Sequence, residues 1–216
     1  METLIAVTPA VTIRTISVSD LDNNVYLLTS AETGHQILID AADDPVAIGR
    51  LLGTAEADAA DPKLSLIITT HSHRDHLGAL AELVRAAAVP ALAGQADAAA
   101  IERQTGVHIE RGLNHGDKVG VPGLALGVIA LRGHTPGSIA LSYREEGQPT
   151  HLFTGDSLFP GGVGNTDRDP ERFHQLMTDV VERVFANFDD STLVHPGHGD
   201  STSLGAERPQ LEEWWQ

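Results

Sequence analysis

The sequence predicts an α/β fold in which two β-sheets stack face to face with helices on the outside. Three observations lead there. Strand-like segments rich in β-branched and apolar residues occur in both halves of the 216 residues. Amphipathic helical segments follow several of them. No low-complexity linker and no repeat of roughly 20–50 residues divides the chain. Stacked sheets with outer helices bury such segments on all sides. One domain spanning residues 1–216 is therefore expected.

The elements follow in order. Val11–Val18, Val25–Thr29 and Gln36–Ile39 read as strands of an antiparallel meander, separated by the turn signals Asp22-Asn23-Asn24 and Glu32-Thr33-Gly34. Asp44–Leu52 has helical spacing, with Pro45 where a first turn tolerates proline. Leu64–Thr69 is a continuous apolar run, the mark of a strand covered on both faces. A helix over Gly78–Ala88, a short strand Ala91–Ala93 and a helix Ala96–Gln104 come next. In the second half, Leu124–Leu131, Ile139–Tyr143, His151–Thr154 and Leu193-Val194 read as strands. Glu171–Phe185 reads as a helix, with Leu176, Met177, Val180 and Val184 close to one stripe.

Charge and composition exclude several function classes. Lys plus Arg number 14 and Asp plus Glu 30, so the net charge is −16. Such a chain is repelled by nucleic-acid phosphates and by anionic membranes. No stretch approaches the roughly 20 apolar residues that span a bilayer. Met1-Glu2-Thr3-Leu4-Ile5 carries no positive segment before its apolar run, so no signal peptide is read and a cytoplasmic location is expected. A small-molecule substrate is the expected partner, with the chain a monomer or a homodimer. Cysteine is absent, which removes disulfides, thiol nucleophiles, iron–sulfur clusters and thiolate metal sites. Any metal must be held by His, Asp or Glu, and there are 11 histidines.

The strongest motif is His71-Ser72-His73-Arg74-Asp75-His76, between the apolar run and a helix. His71 and His73 are two apart, so in extended backbone they project to the same side. Asp75 and His76 come where the chain turns, with Asp75 near the N-terminus of the following helix, where a carboxylate is favoured. Imidazole and carboxylate together suit Zn²⁺, Fe²⁺ or Mn²⁺. Three later loops each carry a further ligand type beside glycine: Gly133-His134-Thr135-Pro136-Gly137, Thr154-Gly155-Asp156-Ser157, and His195-Pro196-Gly197-His198-Gly199. His195 is read as supporting its loop, and His35, His108, His115, His151 and His174 as surface or structural residues.

With these motifs in this order, the chain resembles the metallo-β-lactamase-fold hydrolases from about Asp20 to Gly199. Gly-His-Thr-Pro-Gly-Ser and Thr-Gly-Asp-Ser-Leu-Phe are similar to the glyoxalase II (hydroxyacylglutathione hydrolase) branch. The resemblance implies a four-layer αββα sandwich with metals at one edge between the sheets. It implies that His71, His73 and His134 hold a first metal, that Asp75, His76 and His198 hold a second, and that Asp156 bridges them. It also implies that Asp40, at the end of a strand, hydrogen-bonds a ligand histidine and fixes its tautomer. The expected cofactor is two divalent ions, zinc by preference, with iron or manganese as alternatives.

Such a centre lowers the pKa of bound water to about 7, so that metal-bound hydroxide can attack a carbonyl carbon while a metal stabilises the oxyanion. A thiolate leaves without a proton. An alkoxide needs help from the second metal or from Asp75, and an amide needs a proton donor not evident in the sequence. The expected reaction is therefore thioester, ester or lactone hydrolysis, with Asp75 and Asp156 as the catalytic carboxylates. A lactonase of the quorum type is one alternative, and a mononuclear iron persulfide dioxygenase, which shares the His-x-His-x-Asp-His motif, is another. The chain ends 18 residues after His198, so glutathione recognition through a helical extension like that of glyoxalase II is not expected. Substrate-binding residues are not identifiable. The segment 157–169 with Tyr143, Phe159 and Arg168 is the nearest reading of pocket walls, and Trp214-Trp215 is read as docking onto the domain or onto a second copy.

Overall fold

Seven strands form the first sheet in their sequence order: β1 (Glu2–Val7), β2 (Val11–Val18), β3 (Asn23–Ser30), β4 (His35–Ile39), β5 (Lys63–Thr69), β6 (Ala91–Gly94) and β7 (Ile109–Leu113). The structure is a computed structural model and describes residues 2–215. β1 to β4 pair antiparallel, as the meander expectation required, and β4 to β7 pair parallel. Parallel neighbours need crossovers. Helices α1 (Pro45–Thr54), α2 (Leu80–Ala87) and α3 (Ala98–Thr105) provide them.

The second sheet holds β8 (Lys118–Val121), β9 (Leu124–Ala130), β10 (Ile139–Tyr143) and β11 (His151–Gly155). After a separate hairpin, β12 (Leu158–Phe159) and β13 (Gly162–Val163), it is completed by β14 (Leu193–Pro196) and β15 (Thr202–Ser203). Helix α4 (Pro170–Val180) starts on Asp169, whose carboxylate accepts from the N–H groups of Glu171 and Arg172. It runs on into a π-turn over Val181–Phe185, so the helix expected over Glu171–Phe185 is two geometries end to end. Two four-residue helices, α5 (Leu204–Glu207) and α6 (Leu211–Trp214), close the chain.

Period-two alternation divides the apolar residues among three cores. In β3 to β5, Tyr26, Leu28, Ile37, Ile39, Leu66 and Ile68 point between the sheets, where Leu126, Val128, Leu141 and Phe153 meet them. Their alternates Val25, Leu27, Leu38 and Ile67 pack under α1 to α3 with Ile48, Leu51, Leu80 and Ile101. On the far side, Ile129, Ala140, Leu152 and Val194 pack against Leu176, Val180 and Val184. The layers are thus helix, sheet, sheet, helix, as expected.

Three readings need correction. β1, β7 and β8 were not foreseen. All three are edge strands, and in β7 and β8 charged residues and glycines (Glu110, Arg111, Gly112, Lys118, Gly120) hide the strand pattern. Asp75 does not sit at the start of α2: it lies in a separate one-turn 3₁₀ helix, Arg74–His76, and α2 begins at Leu80. Tyr143 is no pocket wall, being 5% exposed between the sheets with its hydroxyl donated to Glu145. Trp214 packs against Phe185 at 6.2 Å between ring centroids, which is docking onto the domain.

Candidate metal centre

Strand direction gathers the chemistry-bearing loops at one edge. β9 and β11 are both antiparallel to β10, and β14 is parallel to β11. All three therefore end at the same edge of the second sheet. His134 follows β9, Asp156 follows β11, and His198 follows β14. In the first sheet Asp40 ends β4, and the segment 71–76 follows the parallel β5.

All seven predicted ligand residues meet at this edge. Ligand atoms of His71, His73 and His134 lie within 4.8 Å of one another, and so do those of Asp75, His76 and His198. Rings of His71 and His73 stand 4.9 Å apart and those of His73 and His134 4.4 Å apart, each nearly perpendicular. In the other group His198 Nε2 is 3.2 Å from both His76 Nε2 and Asp75 Oδ2. Asp156 faces both groups. Its Oδ2 is 3.5 Å from His134 Nε2, 3.9 Å from His71 Nε2 and 3.3 Å from His198 Nε2, and its Oδ1 is 3.5 Å from His76 Nε2. Gly197 permits this approach, because a Cβ there would run into Asp156 Oδ1 and the His76 ring.

The outer nitrogens of the rings are held in place. Asp40 Oδ2 accepts from His76 Nδ1 at 3.0 Å and from the Thr70 hydroxyl at 2.7 Å. Thr70 Oγ1 in turn lies 3.0 Å from His71 Nδ1. Asp40 itself stands at φ 58°, a left-handed conformation that aspartate tolerates and that turns its carboxylate back into the edge. His134 Nδ1 donates to Asn165 O at 2.7 Å, and His198 Nδ1 to Leu21 O at 2.8 Å. With Nδ1 directed outward, His71, His76, His134 and His198 turn their Nε2 atoms inward.

Burial without partners is the test of fit for a metal. Among the described residues, five buried side-chain polar atoms lack a hydrogen-bond partner, and three of them are His71 Nε2, His134 Nε2 and Asp156 Oδ1. Such orphans are costly and rare. Their convergence, with nitrogen and carboxylate oxygen as the donors, fits a divalent cation. The electrostatics agree. Burial pushes the His71 imidazole well below its usual pKa, so it stays an unprotonated donor. Burial also pushes His76 down, but Asp40 and Asp156 outweigh it and carry its pKa up to about 10. Burial opposes the charge on Asp156, yet the imidazoles of His198 and His76 beside it hold it far below the usual carboxylate range. A place that binds a proton so firmly between two carboxylates also attracts a metal cation.

Several supporting residues carried no recognised signal in the sequence. Asp97, 1% exposed, accepts from Ser72 N at 2.8 Å, Thr135 Oγ1 at 2.5 Å and Gly137 N at 2.8 Å. It ties the loop of His71 and His73 to the loop of His134. Arg172 of α4 donates to the carbonyls of Gly133 and His134 and pairs with Asp167. Thr70 and Asn23 could have been noticed, one directly before His71 and the other in a turn signal. Asp97 and Arg172 are distant polar residues that only the fold brings close. Of the suggested walls, Phe159 is half-buried in the hairpin after Asp156, and Arg168 is exposed beside Asp167.

The family model "Metallo-beta-lactamase superfamily" matches residues 18–198. Hydroxyacylglutathione hydrolase of Pseudomonas savastanoi pv. phaseolicola is 34% identical over 178 residues, covering 82% of this chain. The chain spans about three fifths of that relative, 62% of its length. The crystal structure of TTHA1623 in a di-iron-bound form is 32% identical with a TM-score of 0.70, covering 90% of this chain and 96% of that one. The crystal structure of ETHE1 from Myxococcus xanthus is 27% identical with a TM-score of 0.74, covering 94% and 84% respectively.

Proposed function

This chain belongs to the metallo-beta-lactamase superfamily, and on that premise we propose that it is a dinuclear metal-dependent hydrolase of thioester or ester bonds. One observation carries the reading: Asp156 lies within 3.3 to 3.9 Å of His71, His134, His76 and His198, between two groups of inward donors. His71, His73 and His134 would hold one ion, Asp75, His76 and His198 the other, with Asp156 shared. Zinc suits three imidazoles with an open position. Two such ions supply Lewis acidity and a water acidic enough to attack a carbonyl near neutral pH.

The chain's own residues do the rest. Asp40 and Thr70 fix ring orientation in both groups. Asp75 is the more open aspartate, with its side chain 31% exposed against 12% for Asp156. It is the more accessible of the two to a departing alkoxide. A thiolate departs without that help, which ranks thioesters above esters and both above amides. The similarity to hydroxyacylglutathione hydrolase supports the thioester class.

A panel of acyl thioesters, lactones and matched amides tests this reading. Thioester or ester turnover that exceeds amide turnover by orders of magnitude is expected, and equal rates would contradict it. Iron at the same residues is the second reading, favoured by the 32% identity to a protein crystallised in a di-iron-bound form. Metal analysis separates the two.

A further inference from the structure

Asn23 opens β3 and is fully buried, and its side chain reaches the group formed by Asp75, His76 and His198. Its Nδ2 donates to Asp75 Oδ2 at 3.0 Å and stands 3.4 Å from His198 Nε2 and 3.5 Å from His76 Nε2. Ser19 sets which end of the carboxamide faces inward. The Ser19 hydroxyl oxygen accepts from Leu21 N at 3.0 Å, which leaves its proton for Asn23 Oδ1 at 2.6 Å. The oxygen of the amide is thereby held outward and its NH₂ inward.

The loop that carries both residues is anchored to the loop of His198. Asn24 Nδ2 donates to the carbonyls of Pro196 and Gly199, Asn24 N donates to Gly197 O, and His198 Nδ1 donates to Leu21 O. His76 and His198 have committed their Nδ1 protons to Asp40 and Leu21 O. Their Nε2 atoms and Asp75 Oδ2 converge on the Asn23 amide nitrogen. A carboxylate held by a fixed donor keeps one orientation and loses less freedom when it takes a cation.

We propose that Asn23 is a positioning residue of the second metal group, holding Asp75 through its inward NH₂, and that Ser19 acts through Asn23. The proposal rests on the two-ion reading above. It predicts a site-selective effect, since among the described residues the Asn23 side chain bonds to Ser19 and to the Asp75, His76 and His198 group and not to His71, His73 or His134.

The test is a stepwise Co²⁺ titration of the metal-free chain, followed by visible absorption and calorimetry, with thermal melts to check folding. Asn23→Ala should weaken the second ion by about tenfold or more and leave the first unchanged. Ser19 is exposed but stands at φ 64° and accepts from Leu21 N, so the melts check the fold of Ser19→Ala, which should shift the second ion in the same direction by less. The double variant should bind nearly as Asn23→Ala does, because the Ser19 proton reaches the site through Asn23 Oδ1. Unchanged affinity for the second ion in both single variants, or equal loss of both ions, would overturn the proposal. A wild-type chain that takes up only one ion would overturn the two-ion reading itself, and Asn23's role with it. Two ions bound equally well by wild type and variants would overturn Asn23's role alone.

Discussion

Asp40 Oδ2 lies 3.0 Å from His76 Nδ1 and also accepts the Thr70 hydroxyl that meets His71 Nδ1. One buried carboxylate therefore orients an imidazole in each of the two donor groups. Such a partner stabilises the ring tautomer that presents Nε2 to a metal, and it makes that nitrogen a better donor.

Asp40→Asn is the clean perturbation of this link. Asparagine also tolerates the left-handed backbone at φ 58°. Its amide nitrogen, however, must face either Thr70 N–H or the protons of Thr70 and His76. Affinity for both ions should fall by about ten- to a hundredfold, measured by competition with a chromophoric chelator. Wild-type affinity in a folded variant would remove Asp40 from the account.

His73→Ala separates metal binding from stability. His73 is exposed, unlike His71 and His134, so its loss opens no cavity and the metal-free melting temperature should stay within a degree or two, corresponding to about 0.5 kcal/mol for a surface change. The first ion should be lost and hydrolysis abolished. Full activity in this variant would contradict the assignment of His73 as a ligand.

The pair His151 and His195 should contribute to acid lability. His151 Nδ1 and His195 Nε2 lie 2.9 Å apart, the rings stack, and His195 Nδ1 meets Ser201 Oγ at 2.9 Å. Burial, aided by His151, lowers the His195 pKa from 6.5 to about 3. The unfolded chain thus binds this proton first, so stability is lost as pH falls from 6.5 toward 3. The linkage is on the order of a few kcal/mol, at about 1.4 kcal/mol for each pKa unit. Denaturant midpoints of the metal-free chain should fall less steeply between about pH 6 and pH 4 in His195→Gln than in wild type. Parallel slopes would show that His195 is not the titrating group.

Legibility in the sequence followed physical cause. The runs in β3 to β5 were readable because most of their residues are buried and apolar or β-branched. The seven ligand residues were readable because metal chemistry restricts the donor types and places them in glycine-bearing loops. Edge strands β7 and β8 were hidden by their charges. Asp97 and Arg172 were hidden for another reason: each acts through a contact across 38 residues, to Thr135 and to His134, that no local pattern encodes. Tyr143 was misread because its position near the end of β10 says nothing about which face it takes.

The central claim is that Asp156 joins two ion sites. The most direct measurement is elemental analysis of the chain purified without added metal, for wild type and Asp156→Ala side by side. The account predicts about two ions per wild-type chain and at most about one in the variant. A single ion in wild type, or an unchanged pair in Asp156→Ala, would contradict it.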